Sequence, residues 1–283
     1  MMGFLNIYKP KGMTSHDVVA RLRRVTKIKQ IGHTGTLDPF AEGVLPVCIG
    51  KATRLIEYLS DDKEYLATVQ FGVSTTTYDI EGDITYTSDK KITQGEVENI
   101  LDNFRGEILQ MPPIYSAIKV KGKKLYEYAR EGQSVDIKPR KVTVYNIQLK
   151  SFNYDLQQAE VLIKCSKGTY IRSIANDLGQ SLGCGAHLIK LVRTLAGSFH
   201  IENSIELKDD IDVKKNLINP VEMLDYPKYF ASDAELEKVR HGSVLENKEF
   251  KAGSIIILIY NNEEICAVGE AENDKIRLKK VFI

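Results

Sequence analysis

The chain of 283 residues is 43% hydrophobic and 27% charged, which excludes a disordered polymer and allows one large or two ordinary cores. No run approaches the roughly 18 apolar residues of a membrane span, and Lys9 and Lys11 come before a secretory apolar core could form, so a cytoplasmic protein with no membrane contact is expected. Cys48, Cys165, Cys184 and Cys266 lie far apart, and the five histidines lack ligand spacing, which speaks against both a disulfide scaffold and a metal site.

Taken in chain order, GFLNIYKP alternates Leu5 and Ile7 and reads as a short strand ended by Pro10. Thr14-Ser-His-Asp17 is a capping box ahead of Val18, Val19, Leu22 and Val25, an amphipathic helical spacing. Residues 64–72 place Tyr65, Ala67, Val69 and Phe71 on one face of a half-buried strand. Thr93 with Glu96 caps a second helix carrying Val97, Ile100, Leu101 and Phe104. VTVYNIQLKSF and AEVLIKC read as paired strands, and Gly168-Thr169 opens a helix that buries Ile171, Ile174, Ala175 and Leu178 and ends near Gly183.

Strands and helices mix without a βαβ rhythm, so the expected class is α+β, a mixed and mostly antiparallel sheet with flanking helices. The acidic stretch LKDDIDVKKNLINP, residues 207–220, marks a boundary between a domain over 1–224 and a small β-rich one over 225–283. In the latter, GSIIILIYNNEEICAVGEA holds two apolar strands joined at Asn261-Asn262, and KIRLKKVFI ends in another.

The net charge of +1 hides a polarity of +6 over residues 1–200 and −5 over the remainder. Its densest basic stretch, residues 118–141, carries Lys119, Lys121, Lys123, Lys124, Arg130, Lys138, Arg140 and Lys141 around Tyr126 and Tyr128. Such a cluster suits a polyanion, because phosphate neutralisation releases counterions and aromatics stack on bases. A solvated helix face has the same composition.

GHTGTLDPFAEGVLP, residues 32–46, poses a narrower alternative. Asp38 before Pro39 can cap one helical turn. It can equally be a carboxylate held in one orientation, since a residue before proline is restricted and Gly32, Gly35 and Gly43 let a ligand approach.

The stretch Gly32-His-Thr-Gly-Thr-Leu-Asp-Pro39 with Gly43-Val-Leu-Pro46 resembles the catalytic motif of the TruB-type tRNA pseudouridine-55 synthases. Lys9-Pro-x-Gly12 with Thr14-Ser15, Gln110-Met-Pro-Pro-x-Tyr-Ser-Ala117 and Cys165-Ser-Lys-Gly-Thr-Tyr-Ile-Arg172 resemble that family's other signatures in the same order. The resemblance spans nearly the whole chain, and four multi-residue matches in register are far more specific than one glycine motif.

It implies a cofactor-free isomerisation of one uridine in the T-loop of tRNA, in which the glycosidic bond breaks, the uracil turns and a carbon–carbon bond forms. By motif position Asp38 is the catalytic carboxylate, Arg172 its charge partner and Tyr65 the ring that stacks on the target base. Tyr170 and Leu191 line the pocket, and His33 fills the space left by the extruded base. The segment 118–141 becomes the RNA-gripping insertion, with Lys9, Arg54 and Arg193 as further phosphate contacts. Residues 225–283 resemble a PUA module, whose RNA contact would run through Lys275, Arg277, Lys279 and Lys280.

The implied partner is the tRNA T-arm, met by a monomer with no metal, no small-molecule cofactor and no obligatory protein partner. One departure stands out: the family's T-D-T-x-D-x-x-G reads Thr75-Thr-Thr-Tyr-Asp79-Ile-Glu-Gly82, with Thr76 in place of the first acid. Two further functions fit the same motifs, a tRNA-folding chaperone and a guide-RNA-directed synthase.

Overall fold

The computed structural model describes residues 1–261 and 264–283. The fold begins with strand β1 (Gly3–Lys9), helix α1 (Ser15–Thr26), β2 (Ile31–His33) and β3 (Glu42–Ile49). Thr14 and Asp17 close the expected capping box on α1, and Lys27 in the left-handed region, φ 60°, ends it. Next come β4 (Lys63–Phe71), the hairpin β5 (Val73–Thr75) and β6 (Ile84–Thr87), α2 (Gln94–Leu101) and β7 (Gly106–Gln110).

Residues 118–141 form a small hairpin, β8 (Lys119–Val120) and β9 (Lys123–Lys124), then α3 (Leu125–Arg130) and an irregular return. The chain continues through β10 (Arg140–Asn153), β11 (Gln158–Cys165), α4 (Ile171–Ser181), β12 (Ala186–Ala196), β13 (Phe199–His200) and β14 (Ile205–Glu206). Helix α4 starts at Ile171, later than Gly168-Thr169: Gly168 has φ 80°, and Thr169 uses its hydroxyl to bond the Ser166 carbonyl.

The ten-stranded sheet runs β14-β1-β3-β12-β4-β11-β10-β7, with β2 beside β3 and β13 beside β12. It is mixed, because β1 meets β14 and β3 meets β12 in parallel while the other pairs are antiparallel. Tyr65, Ala67, Val69 and Phe71 do share one face, packed with α2 and α4. Strands β1 and β3 are covered on both faces, which explains the unbroken apolar run in β3: Leu5, Leu45 and Val47 meet α1, whereas Phe4, Val44 and Cys48 meet the C-terminal layer.

That layer follows α5 (Pro220–Met223) and consists of β15 (Lys228–Phe230), α6 (Asp233–Arg240), β16 (Leu245–Glu246), β17 (Ile255–Tyr260), β18 (Glu264–Ala271) and β19 (Lys275–Val281). Its five-stranded sheet, β15-β17-β18-β19-β16, shares one apolar cluster with the large sheet, joining Phe4, Val44 and Leu55 to Ile257, Ile259 and Phe282. Of the turn expected at Asn261-Asn262, Asn261 has φ 51° and Asn262 lies outside the described residues. The acidic stretch 207–220 is irregular and returns onto β1, where Phe4 and Ile218 exchange backbone hydrogen bonds of 3.0 and 2.8 Å.

No helix is long and apolar enough to cross a membrane among the described residues.

Candidate active site

Between β2 and β3 the chain makes no helix, only a turn at Pro39-Phe40 closed by the Ala41 N–H on the Asp38 carbonyl at 3.1 Å. Asp38 therefore turns the chain with its backbone and keeps its carboxylate for other partners. Every carbonyl from Gly35 to Pro39 is held. Arg193 donates to Gly35 at 3.2 Å and Thr36 at 3.3 Å. Ser15 Oγ donates to the Leu37 carbonyl at 3.1 Å and accepts the Leu37 N–H at 2.8 Å. The Gly12 N–H reaches the Pro39 carbonyl at 2.8 Å, and Lys9 Nζ reaches it at 3.4 Å. A loop with its backbone groups so satisfied presents one side chain in one place.

Arg172 rises from the first turn of α4, and its Nε lies 2.9 Å from Asp38 Oδ2. Its Nη1 is 3.3 Å from Asp79 Oδ2 and 3.1 Å from the Thr77 carbonyl, and its Nη2 donates to the Tyr115 carbonyl at 3.0 Å. The Asp38 contact is ionic rather than a well-aimed hydrogen bond, since Arg172 Nε–H has no acceptor in line. The guanidinium and Asp79 are enclosed, whereas the Asp38 side chain keeps 33% of its surface open. Burial pushes the Asp38 carboxyl above the usual carboxylate range; Arg172 pulls it back down, and Asp79 pushes it further up.

Asp79 is the site residue that sequence reasoning passes over, although the Thr75–Gly82 motif contains it. Tyr78, at φ 62°, turns the chain so that the Thr77 carbonyl and the Asp79 carboxylate face the same guanidinium. Thr76 does local work: its hydroxyl accepts the Asp83 N–H at 3.1 Å and closes the loop. Gly82 is needed there because a Cβ would come within 2.4 Å of Thr77 Oγ1.

Gln110, also absent from the residues expected at the site, is buried and clasps the Tyr170 backbone from both sides. Its Nε2 donates to the carbonyl at 3.0 Å, and its Oε1 accepts the N–H at 2.8 Å. Its membership of the QMPP stretch is the one signal the sequence offers for it.

A cavity of about 720 Å³ is lined by Asp38, Tyr65, Tyr170, Leu191, Arg172 and His33. Burial holds the His33 imidazole below its ordinary value, with Arg193 and His16 adding to the effect, so a neutral ring lines the wall. Burial likewise raises the Tyr65 and Tyr170 phenols, leaving both protonated at neutral pH. Lys124, Tyr126 and Arg130 of the 118–141 segment reach the same cavity, with Lys124 Nζ 5.4 Å and the Arg130 guanidinium 5.3 Å from the Tyr126 ring centre.

The basic residues of the 118–141 segment are not equivalent. Lys119, Lys121, Arg130 and Arg140 are exposed, as polyanion contact requires. Lys123 and Lys141 are already paired, with Glu131 and Glu107 respectively.

Lys9 and Arg193 do not fit the expected phosphate contact, because both are fully enclosed. Lys9 Nζ donates to the carbonyls of Pro10 at 3.0 Å and Met13 at 2.6 Å, and desolvation lowers its pKa to about 8. The C-terminal patch also departs from expectation: Lys275 and Arg277 pair with Glu272, Lys279 with Glu270 and Lys280 with Glu57. Arg54 instead docks β19, donating to the Val281 carbonyl at 2.7 Å. Among the described residues no group of three or more His, Cys, Asp or Glu is placed to hold a metal.

Residues 23–171 match the family model "TruB family pseudouridylate synthase (N terminal domain)" and residues 172–224 match "tRNA pseudouridylate synthase B C-terminal domain". The chain is 44% identical to tRNA pseudouridine synthase B of Caldanaerobacter subterraneus subsp. tengcongensis, covering 99% of both chains. It is 45% identical to the protein of that name from Carboxydothermus hydrogenoformans, covering 100% of this chain and 99% of the relative. Among solved structures, an H/ACA RNP bound to a substrate RNA containing 2'-deoxyuridine superimposes with a TM-score of 0.73 at 26% identity, over 99% of this chain and 85% of that one.

Proposed function

The chain belongs to the TruB family of pseudouridylate synthases, and from that premise we propose that it converts uridine 55 in the T-loop of tRNA to pseudouridine with Asp38 as the reacting carboxylate. It is a tRNA pseudouridine synthase, an isomerase. The bond from the ribose anomeric carbon to N1 of uracil breaks and one to C5 forms, while the hydrogen lost from C5 is replaced at N1. Substrate and product have the same atoms, so the reaction consumes no co-substrate.

One observation carries the role of Asp38: a partly open carboxylate at a cavity, backed by an enclosed arginine that a second carboxylate, Asp79, also holds. A single such group suits an isomerisation in which the base is recaptured; hydrolysis of a glycosidic bond uses two carboxyl groups about 5 to 9.5 Å apart. Tyr65, Tyr170 and Leu191 form walls for a flat ring, which supports their place around an extruded uracil. His33, neutral and on the glycine-flanked strand end, suits the vacated stack. Lys119, Lys121, Arg130 and Arg140 grip phosphates, and Lys124 lies nearer the base. The division of the chain into a catalytic part, 1–224, and a PUA-like RNA-binding part, 225–283, belongs to the same proposal.

The test is incubation of the purified chain, without guide RNA, with an unmodified tRNA transcript and mapping of pseudouridine at single-nucleotide resolution. Product at position 55 alone supports the proposal. Product that appears only when a guide RNA is added would transfer the chain to the guided mode suggested by its likeness to the H/ACA RNP. Refolding of tRNA without any product would make it a chaperone.

A further inference from the structure

Arg193 is a fully buried arginine whose guanidinium has no carboxylate partner among the described residues. Enclosing a cation is unfavourable unless its donors are met, and here backbone carbonyls meet them. Nε donates to Val44 at 2.6 Å, Nη1 to Thr36 at 3.3 Å and Nη2 to Gly35 at 3.2 Å. A methionine could fill the volume without desolvating a charge, but it could not hold three carbonyls on two segments. The planar fork of a guanidinium can.

The position of Arg193 makes that grip consequential. On β12 it stands opposite Gly43 of β3 and Tyr65 of β4. Gly43 has φ 105°, and a Cβ there would lie 2.3 Å from the Arg193 carbonyl oxygen, so β3 and β12 are pressed together at this step. The side chain then crosses to the loop between His33 and Asp38, and its charge acts on Tyr65, His33 and Lys63.

We propose that Arg193 is a positioning residue for the reaction: by clamping the Gly35 and Thr36 carbonyls to Val44, it sets the span between the His33 ring and the Asp38 carboxylate. The inference rests on Asp38 being the reacting group. Arg193 itself touches no substrate, and its effect falls on the rate at bound substrate and not on the grip on tRNA.

Arg193→Gln and Arg193→Lys test this through tRNA affinity, single-turnover rate and circular dichroism, against wild type on the same transcript. Arg193→Gln is expected to fold and bind tRNA like wild type while losing about 100-fold in rate, the size of effect that misplacing a reacting group by an ångström produces. Arg193→Lys, with the charge kept but the fork lost, is expected to recover part of that rate. A folded glutamine variant with wild-type rate overturns the proposal. So does parallel loss of fold, affinity and rate in both variants, which would make Arg193 merely structural. An inactive wild type would instead overturn the proposed function.

Discussion

Arg172 meets Asp38 from an enclosed position while Asp38 remains partly open, so the pair is anchored on the arginine side and available on the carboxylate side. Asp38→Asn is expected to abolish product while tRNA affinity stays within about tenfold, roughly 1.4 kcal/mol. Single-turnover assays beside filter binding check it, and turnover in the variant would remove Asp38 from the chemistry. Stability gives a second readout. The folded state holds the Asp38 carboxyl above its ordinary value of 3.8, so the folded chain binds this proton more tightly than the unfolded one. The group's contribution to stability falls as pH rises through that window. Asp38→Asn should therefore melt no lower than wild type at neutral pH, with any advantage shrinking in acid.

Asp79 completes the charge balance from the buried side. Asp79→Ala leaves the guanidinium with one carboxylate, itself partly exposed, and loss of one member of a buried pair costs about 3 kcal/mol or more. Urea denaturation should show that loss and single-turnover assays a slower reaction. Unchanged stability would mean that Arg172 does not depend on Asp79.

For the RNA grip, the exposed cations divide from the paired ones. Alanine at Lys119 and Lys121 should weaken tRNA binding and flatten its salt dependence by about one unit of slope for each phosphate no longer neutralised, or somewhat less on single strands. Lys123→Ala, which removes a lysine already facing Glu131, should change the slope less. Equal slopes in all variants would return the whole segment to solvent.

Lys9 supplies a pH signature in the alkaline range. Its folded value is about 8 against 10.5 for the free group, so between these values the unfolded chain carries a proton that the folded chain lacks. Stability contributed by this group rises with pH across that window. Lys9→Met, which cannot titrate, should lack that rise in denaturant unfolding measured at several pH values.

The parts of this molecule written in local order are open to sequence reasoning. The capping boxes at Thr14 and Thr93 and the alternation from Tyr65 to Phe71 reappear where expected. So does the Arg172 partnership with Asp38, which the motif resemblance implies. What escapes depends on distance along the chain. Gln110 grips Tyr170, and Arg193 grips Gly35, through contacts that no periodicity encodes. Lys9 and Arg193 depart from their expected phosphate role for a related reason: a sequence shows that a residue is cationic, whereas only packing shows that its charge faces inward. The C-terminal cations illustrate the converse: Glu272 in the turn before β19 holds Lys275 and Arg277, Glu270 of β18 holds Lys279, and Glu57 on another part of the chain holds Lys280.

The five carbonyls from Gly35 to Pro39 are fastened to β12, to α1, to the turn before α1 and to the loop's own closing turn. Such a loop has no slack in length. One residue inserted between Gly35 and Asp38 would put the fastenings on its two sides out of register, even if every side chain were kept. In the irregular return, residues 131–133 are tied to α3, whereas 134–139 have no such backbone ties among the described residues and can change length at little cost. Tolerance to a change of length is therefore expected in the irregular return and not in the loop that carries Asp38, where each residue is counted.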